Sequence, residues 1–230
     1  MTRPYDAVLF DLDGTLLHSA PDIVNAINAS LVANGLDALA SDRIVSFIGK
    51  GTPVLVERAL AAQGRGGDPA LAERVLAGYM QAYAAHIGER GVLFEGARDC
   101  LATLAARGYA IGIVTNKYQR FVETALAQHR IADYADVVVG GDRLPQRKPR
   151  PEPLQFACRE LGTTPARTLM VGDSVNDAEA ARAAGCDIVC VTHGYNEGRA
   201  PETLGTPLID TLAALPAWID ARPVAAAMPT

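Results

Sequence analysis

Two aspartates separated by one residue, Asp11 and Asp13, end an apolar run near the N-terminus. On a continuing strand they would point to the same side, about 6 to 7 Å apart along the backbone. Two like charges at that spacing repel unless a cation lies between them or one carboxyl takes up a proton, and both arrangements are reactive. Because Asp-Leu-Asp-Gly is also ordinary turn composition, an acidic turn is the alternative for this segment alone.

The elements that must position these acids follow from the pattern along the chain. Short apolar runs alternate with amphipathic stretches, which predicts a parallel sheet covered by helices. We predict strands at 7–11, 110–114, 136–139, 168–171, 187–191 and 207–209. Helices are predicted at 97–107, 118–128, 152–161, 175–184 and 211–220.

The long gap between the first two strands carries a helical pattern instead. Its first helix starts at Ser19, whose hydroxyl is expected to cap it, and ends at Asn34-Gly35. Further apolar-periodic stretches follow at 41–48, 53–62 and 69–86. We therefore predict an α/β core formed by residues 1–17 and 92–230, with a helical cap domain inserted at 18–91.

Composition limits the classes of partner. A net charge of −5 and a pI near 5.4 argue against general nucleic-acid binding, which needs a basic surface. No window reaches the roughly 20 apolar residues of a membrane span, and the N-terminus lacks the apolar stretch of a signal peptide. The four cysteines lack zinc-like spacing and are expected to be buried thiols. A cytoplasmic protein is the expectation.

Polar residues follow the other predicted strands as well, and in a doubly wound sheet ligands bind beyond these carboxyl ends. The second strand ends in Thr115-Asn116-Lys117, and the fourth ends in a segment at 172–177 that contains Asp173 and Asp177. The loop after the third strand carries Gly140-Gly141-Asp142 and then Lys148. Thr115-Asn116 as a helix cap, and Lys148 as a solvated loop residue, are the alternatives for each segment alone.

Acids that converge at one edge need a cation to offset their repulsion. Mg²⁺ prefers oxygen ligands, so Asp11, Asp13 and Asp173 are the candidate ligands, and Asp177 is placed to orient them. A phosphoryl group there would meet Thr115 and Lys148. Asp11 could then attack phosphorus, and Asp13 could protonate the leaving oxygen and later activate water.

Four segments resemble, in order, the four motifs of the haloacid dehalogenase superfamily of phosphohydrolases. They are Asp-Leu-Asp-Gly-Thr at 11–15, the pair Thr115-Asn116, Lys148 ahead of Pro149, and Gly-Asp-Ser-Val-Asn-Asp at 172–177. The resemblance implies a Rossmann-like three-layer core with a parallel sheet, an inserted helical cap domain that moves, and Mg²⁺ as cofactor. It also implies Asp11 as nucleophile and Asp13 as general acid/base.

Within the superfamily, further stretches resemble those of bacterial phosphoglycolate phosphatases. These stretches lie at 11–22, 48–51, 57–60, 139–142 and 151–154. The resemblance implies a small phosphorylated substrate, 2-phosphoglycolate, bound by Thr115, Asn116 and Lys148. Lys50 and Arg58 in the cap are candidates to pair with its carboxylate. His18 departs from the pattern, because relatives commonly have Asp there.

Other functions remain open at this stage. Related capped enzymes hydrolyse other small sugar phosphates or isomerise them, as beta-phosphoglucomutase does. From a different class, the chain could be a catalytically silent binding protein on the same fold or a receiver-type phosphoacceptor domain. A dehalogenase without metal is disfavoured, because Asp13, Asp173 and Asp177 would have little to do. His18 and His86 are taken as structural, and either a monomer or a homodimer is compatible with the sequence.

Overall fold

The strands that carry the acids form one parallel sheet. The structure, a computed structural model that describes residues 3–223, contains eight strands within that range: β1 (Ala7–Phe10), β2 (Leu17–His18), β3 (Val92–Leu93), β4 (Ala110–Val114), β5 (Val137–Val139), β6 (Thr168–Gly172), β7 (Asp187–Val191) and β8 (Leu208–Ile209). Six of them pair in the order β5-β4-β1-β6-β7-β8, with every neighbouring pair parallel. The predicted parallel α/β sheet is confirmed.

Strand β1 lies in the middle of this sheet because its four residues are all apolar and can be buried on both faces. Val8 lies between Ile111 of β4 and Leu169 of β6. After β1 the chain adds β4 and β5 on one side of it and then β6, β7 and β8 on the other. The end of β1 is therefore a topological switch point, where α/β sheets bind ligands.

Helices cover both faces of the sheet and make three layers. Side chains alternate along β1, so Phe10 packs in one cluster with helices α5 (Ala97–Ala106), α6 (Gln119–Gln128) and α9 (Leu215–Asp220). Leu9 packs on the opposite face against helices α7 (Glu152–Glu160) and α8 (Val175–Ala184).

The helical insertion, the name used here for residues 18–91, runs from the last residue of β2 to the start of β3. It contains α1 (Ala20–Ala33), α2 (Ser41–Val45), α3 (Thr52–Ala61) and α4 (Pro69–His86). Helices α1 and α4 pack closely, because Gly78 faces Ser30 without a side chain and Ser30 Oγ donates to the Val75 carbonyl at 2.7 Å. The four predicted helices of this segment are confirmed.

The two connections between insertion and core pair with each other. Strands β2 and β3 form a two-stranded antiparallel ladder, in which Leu17 pairs with Leu93. Next to it, the buried carboxylate of Asp22 accepts hydrogen bonds from three backbone N–H groups at residues 88, 90 and 91, at 2.8 to 3.1 Å. These bonds join the start of α1 to the segment that returns to the core.

Two local predictions are confirmed only in part. The helix predicted over 211–220 is a short 3-10 turn followed by α9, which has Pro216 in its first turn, where a missing N–H is tolerated. Ser19 precedes α1 as expected, but its side chain makes no capping hydrogen bond.

The four cysteines are free and buried as predicted. Within residues 3–223, no helix has both the length and the apolar character needed to cross a membrane.

Candidate functional site

Asp11 follows β1 directly, and its backbone N–H donates to the Val171 carbonyl of β6 at 2.9 Å. The strand thus holds Asp11 between the ends of its two neighbours. Three residues after Asp11, Gly14 has a φ of +95°, a conformation that side-chain-bearing residues rarely adopt. This turn brings Thr15 against Asp173, at the end of β6, where the Thr15 hydroxyl donates to Asp173 Oδ1 at 2.8 Å.

Lys148 joins two of the predicted acids. Its ammonium lies 2.9 Å from Asp11 Oδ1 and 2.6 Å from Asp177 Oδ1, and it also donates to the Val114 carbonyl at 2.6 Å. Only 2% of the Lys148 side chain is exposed, so it is not a solvated loop lysine. Burial alone would lower the pKa of Lys148, but Asp11 and Asp177 outweigh burial and raise it above its ordinary value. Lys148 is therefore a buried cation at the end of β1.

Asp173 lies in a narrow space that excludes larger neighbours. The Tyr195 N–H donates to Asp173 Oδ2 at 2.7 Å. A methyl group added to either Gly14 or Gly194 would overlap the Asp173 side chain. The two glycines and two donors hold the carboxylate in one position at the end of β6.

Three carboxylates form a group that could hold a metal ion. One oxygen from each of Asp11, Asp173 and Asp177 lies within 4.8 Å of the others, and all three residues are buried. Burial raises the pKa of Asp11 to about 6, against the opposing effect of Lys148. Burial and the carboxylates of Asp177 and Asp11 raise the pKa of Asp173 well above its ordinary value. The group is therefore short of positive charge.

Asp177 differs from the other two acids in its partners. Its Oδ2 accepts from the Ser174 hydroxyl at 2.7 Å and from the Ser174 N–H at 3.1 Å, and its Oδ1 accepts from Lys148. This arrangement is the capping box at the start of α8. Because one oxygen accepts from the buried Lys148 ammonium and the other caps α8, Asp177 is suited to orient Lys148 and the turn before that helix.

Asp13 is paired with a second lysine. Lys117 Nζ donates to Asp13 Oδ1 at 2.9 Å and to Asp13 Oδ2 at 3.0 Å, and it donates to the Tyr83 hydroxyl at 2.6 Å. Tyr83 belongs to α4 of the helical insertion, and its ring stacks on Tyr79 at 5.4 Å. Lys117 therefore connects the second acid of the Asp-x-Asp pair to the insertion.

Thr115 and Asn116 follow β4 at the same edge. Thr115 Oγ1 accepts from the Lys117 N–H at 3.3 Å and does not cap α6, which begins at Gln119. Asn116 Nδ2 donates to the carbonyls of Gly49 and Lys148, both at 2.9 Å. Asn116 thus bridges the insertion and the loop that carries Lys148.

A cavity separates these residues from the insertion. Its volume is about 50 Å³. The core side contributes the residues after β1 and β4, and the insertion contributes both glycines that flank Lys50, together with the start of α3 and part of α4. The lining residues are Asp11, Asp13, Ile23, Ile48, Gly49, Gly51, Thr52, Leu55, Tyr79, Thr115, Asn116, Lys117 and Phe121.

The structure does not bring the two predicted cap cations into this lining. Lys50 Nζ lies 3.4 Å from Glu197 Oε1, and Arg58 Nη2 lies 3.2 Å from the same oxygen. His18 Nδ1 lies 2.8 Å from the Tyr195 hydroxyl, at the connection to the insertion. His86 is exposed and lies near Glu89, away from the cavity lining.

Sequence reasoning missed Lys117 as an acid partner, and it missed the loop after β7. Both follow the ends of parallel strands, so the rule that located Thr115 and Asp173 could have found them. Lys117 is two residues beyond Thr115, and the loop supplies Gly194 and the Tyr195 N–H to Asp173. Tyr83 had no such signal, because its position in a helical pattern is typical of a core residue.

Comparison with known proteins agrees with this geometry. A family model described as haloacid dehalogenase-like hydrolase matches residues 8–191. The chain is 40% identical over 197 residues to a phosphoglycolate phosphatase of Thiobacillus denitrificans, covering 85% of this chain and 87% of that protein. It is 41% identical over 220 residues to the plasmid phosphoglycolate phosphatase of Cupriavidus necator, covering 95% of each.

A solved structure shares the whole architecture. A predicted phosphoglycolate phosphatase from Haemophilus somnus superposes with a TM-score of 0.90 at 30% identity, covering 94% of this chain and 98% of that one. The resemblance to phosphoglycolate phosphatases and the prediction of a hydrolytic enzyme are therefore confirmed. The family match extends from β1 to β7 and includes every acid and lysine of the site, so the chain belongs to the haloacid dehalogenase-like hydrolases.

Proposed function

We propose that this hydrolase is a Mg²⁺-dependent phosphomonoesterase that converts 2-phosphoglycolate to glycolate and phosphate. The observation that carries the proposal is the buried group of Asp11, Asp173 and Lys148 at the end of the central strand. It combines a carboxylate nucleophile with positive charge for a phosphoryl group. The relatives named phosphoglycolate phosphatase, matched over most of their length, support the choice of substrate.

The residues at this edge suit one divalent cation. When all are ionised, four carboxylates and the two ammonium groups of Lys117 and Lys148 leave two negative charges. We propose that Asp11 and Asp173 hold Mg²⁺. Asp13 would contribute its main-chain carbonyl, since Lys117 occupies its carboxylate. The bound ion would offset the repulsion between the Asp11 carboxylate and the incoming phosphate.

The protein's own groups account for the remaining chemistry. Asp11 attacks phosphorus and gives an aspartyl phosphate, while Lys148 and Thr115 counter charge on the phosphoryl oxygens. Asp13 enters this step protonated and gives its proton to the leaving alkoxide; the carboxylate that results then takes a proton from the water that hydrolyses the intermediate, which restores the acid. Lys117 fixes the orientation of the Asp13 carboxylate for both transfers.

The cavity favours a small substrate. Its volume of about 50 Å³ suits a compact ester better than a bulky one. Gly51 and Thr52 place the N-terminus of α3 on its far side, where backbone N–H groups and the helix dipole favour an anion such as the glycolate carboxylate. The role of Lys50 as a ligand of that carboxylate stays a prediction, because in the structure its ammonium pairs with Glu197.

We further propose that the helical insertion, residues 18–91, acts as a cap over a core of residues 1–17 and 92–230. Its support is the cavity, which residues from both parts enclose, and the paired connections β2 and β3. Such a cap would exclude water and bulky esters from the phosphoryl group. A cytoplasmic location, the lack of a nucleic-acid partner, and a monomeric or homodimeric state also stay predictions.

The test is phosphate release from 2-phosphoglycolate by the purified chain, with Mg²⁺ and with a chelator. We expect turnover only with the metal, and a loss of at least about 10³-fold in Asp11→Asn. Asp133→Asn, which removes an exposed acid, should keep full activity. If the chain hydrolyses another small phosphate ester faster than 2-phosphoglycolate, that ester is the better assignment of the substrate. Phosphate binding without turnover would identify a silent binding protein instead.

A further inference from the structure

The loop after β7 contacts both the acids and the helical insertion. Its Tyr195 N–H donates to Asp173, as described above. The Tyr195 hydroxyl accepts from the Ala20 N–H at 3.1 Å, at the first residue of α1. Two residues later, Glu197 pairs with Lys50 and Arg58 of the insertion. This loop therefore joins the acid site to the insertion at two separate points.

Glu197 is a buried carboxylate with three cationic partners. Only 6% of its side chain is exposed, and Lys50, Arg58 and Arg199 lie 3.4, 3.2 and 3.6 Å from its oxygens. Its backbone has φ of +51° and ψ of +32°, the left-handed region that residues other than Gly, Asn and Asp rarely adopt. The surrounding contacts must hold this conformation, and such residues concentrate at functional positions.

We propose that Glu197 is a positioning residue that docks the helical insertion on the core and so closes the cavity. Lys50 lies in the Gly49-Lys50-Gly51 loop, two residues before the start of α3, and Arg58 lies within α3. On the other side of that loop, Asn116 Nδ2 donates to the Gly49 carbonyl. The loop is thus held between the end of β4 and the loop after β7, with the cavity beneath it.

The exposure of the partners decides which side chain to change. Lys50, Arg58 and Arg199 are 39%, 28% and 56% exposed, so their charges return to water when Glu197 is removed. Removing a cation would instead leave part of a buried carboxylate uncompensated, which is destabilising by itself. Variants of Glu197 therefore test docking with less damage to the fold.

The loop after β7 also connects the docking contact to the acid site. Because the Tyr195 N–H and the Glu197 carboxylate belong to one short loop, undocking the insertion should loosen a donor to Asp173. This part of the inference rests on the proposed function. It predicts that closure over a small ester and correct placement of Asp173 occur together.

Hydrogen–deuterium exchange of the full chain, without substrate, tests the docking itself. Glu197→Asn keeps a residue that tolerates the left-handed backbone but shortens the side chain and removes its charge. We expect exchange at 47–60 to rise about 5- to 10-fold, as for the loss of a partly exposed ion pair, with little change at 97–191. Glu202→Gln, an exposed acid nearby, should change neither segment.

A second variant separates docking from general stability. Lys50→Met should raise exchange at 47–60, and Lys50→Met combined with Glu197→Asn should raise it no further than Glu197→Asn alone. Unchanged exchange at 47–60 in Glu197→Asn, or an equal rise across the whole chain, would overturn the proposal.

Kinetics then connect docking to the proposed reaction. Glu197→Asn should raise the KM for 2-phosphoglycolate and for ethyl phosphate, a compact ester without a carboxylate, by the same factor, about 10-fold. A rise confined to 2-phosphoglycolate would show recognition of the substrate carboxylate and contradict docking. If the wild-type chain hydrolyses neither ester but exchange still rises locally, the proposed function fails and the docking stands.

Discussion

The buried acids make the stability of the metal-free protein depend on pH in a defined direction. The pKa of Asp11 is raised from 3.8 to about 6 by burial. A carboxyl with a raised pKa binds more protons in the folded state than in the unfolded state between those two values, so the free energy of unfolding falls as pH rises through that window. The shift is roughly two pKa units, which corresponds to about 3 kcal/mol at pH 7.

The assay is urea unfolding in a chelator at several pH values from 4 to 7.5, comparing the wild-type chain with Asp11→Asn. The variant cannot ionise at this position, so the wild-type free energy of unfolding should fall relative to it by about 3 kcal/mol across the range. Asp133→Asn, an exposed acid, is the matched control and should run parallel to wild type. Saturating Mg²⁺ at pH 7 should restore about 3 kcal/mol at 100 times its Kd, and much less at pH 4.5.

The reasoning would be refuted by a wild-type curve that stays parallel to Asp11→Asn from pH 4 to 7 in the chelator. It would also be refuted by Mg²⁺ that stabilises the protein equally at pH 4.5 and 7. Either result would mean that Asp11 is ionised at little free-energy cost in the folded chain, and the acid site would not need a cation.

Three other changes test separate contacts. Gly194→Ala places a methyl group against Asp173 and should weaken Mg²⁺ affinity about 10- to 100-fold in a calorimetric titration. Unchanged affinity would exclude Asp173 as a ligand. Lys117→Met frees the Asp13 carboxylate and should lower kcat by roughly 10-fold or more, with little change in metal affinity. An unaltered kcat in steady-state assays would remove Lys117 from the mechanism. Asp22→Ala leaves three backbone N–H groups without their acceptor and should lower the free energy of unfolding by about 3 kcal/mol in urea; a change below about 0.5 kcal/mol would contradict this account.

The sheet and most of the site could be predicted from the sequence because short apolar runs and strand ends have strong local signals. Val8, Leu9 and Phe10 are all apolar, so both faces of this strand are expected to be buried. That places β1 centrally in the sheet and Asp11 at its end. Thr115, Lys148 and Asp173 then follow from the rule that ligands bind beyond carboxyl ends. The structure brings all of them together with Asp11 or with the cavity.

The remaining features depend on contacts between distant segments. The two-residue strands β2 and β3 are too short to give a pattern, and they form because both connections to the insertion run side by side. Lys50 looked like a substrate ligand in sequence, but its partner Glu197 lies 147 positions later, in a loop with no regular pattern. Pairing across such a distance cannot be read from local propensity.

The measurement that tests the central claim most directly is mass spectrometry of the chain after rapid acid quenching during turnover with 2-phosphoglycolate and Mg²⁺. We predict one added phosphoryl group on Asp11, absent without metal and absent in Asp11→Asn. A phosphoryl group on another residue, or rapid turnover without any on Asp11, would contradict the assignment of Asp11 as the nucleophile.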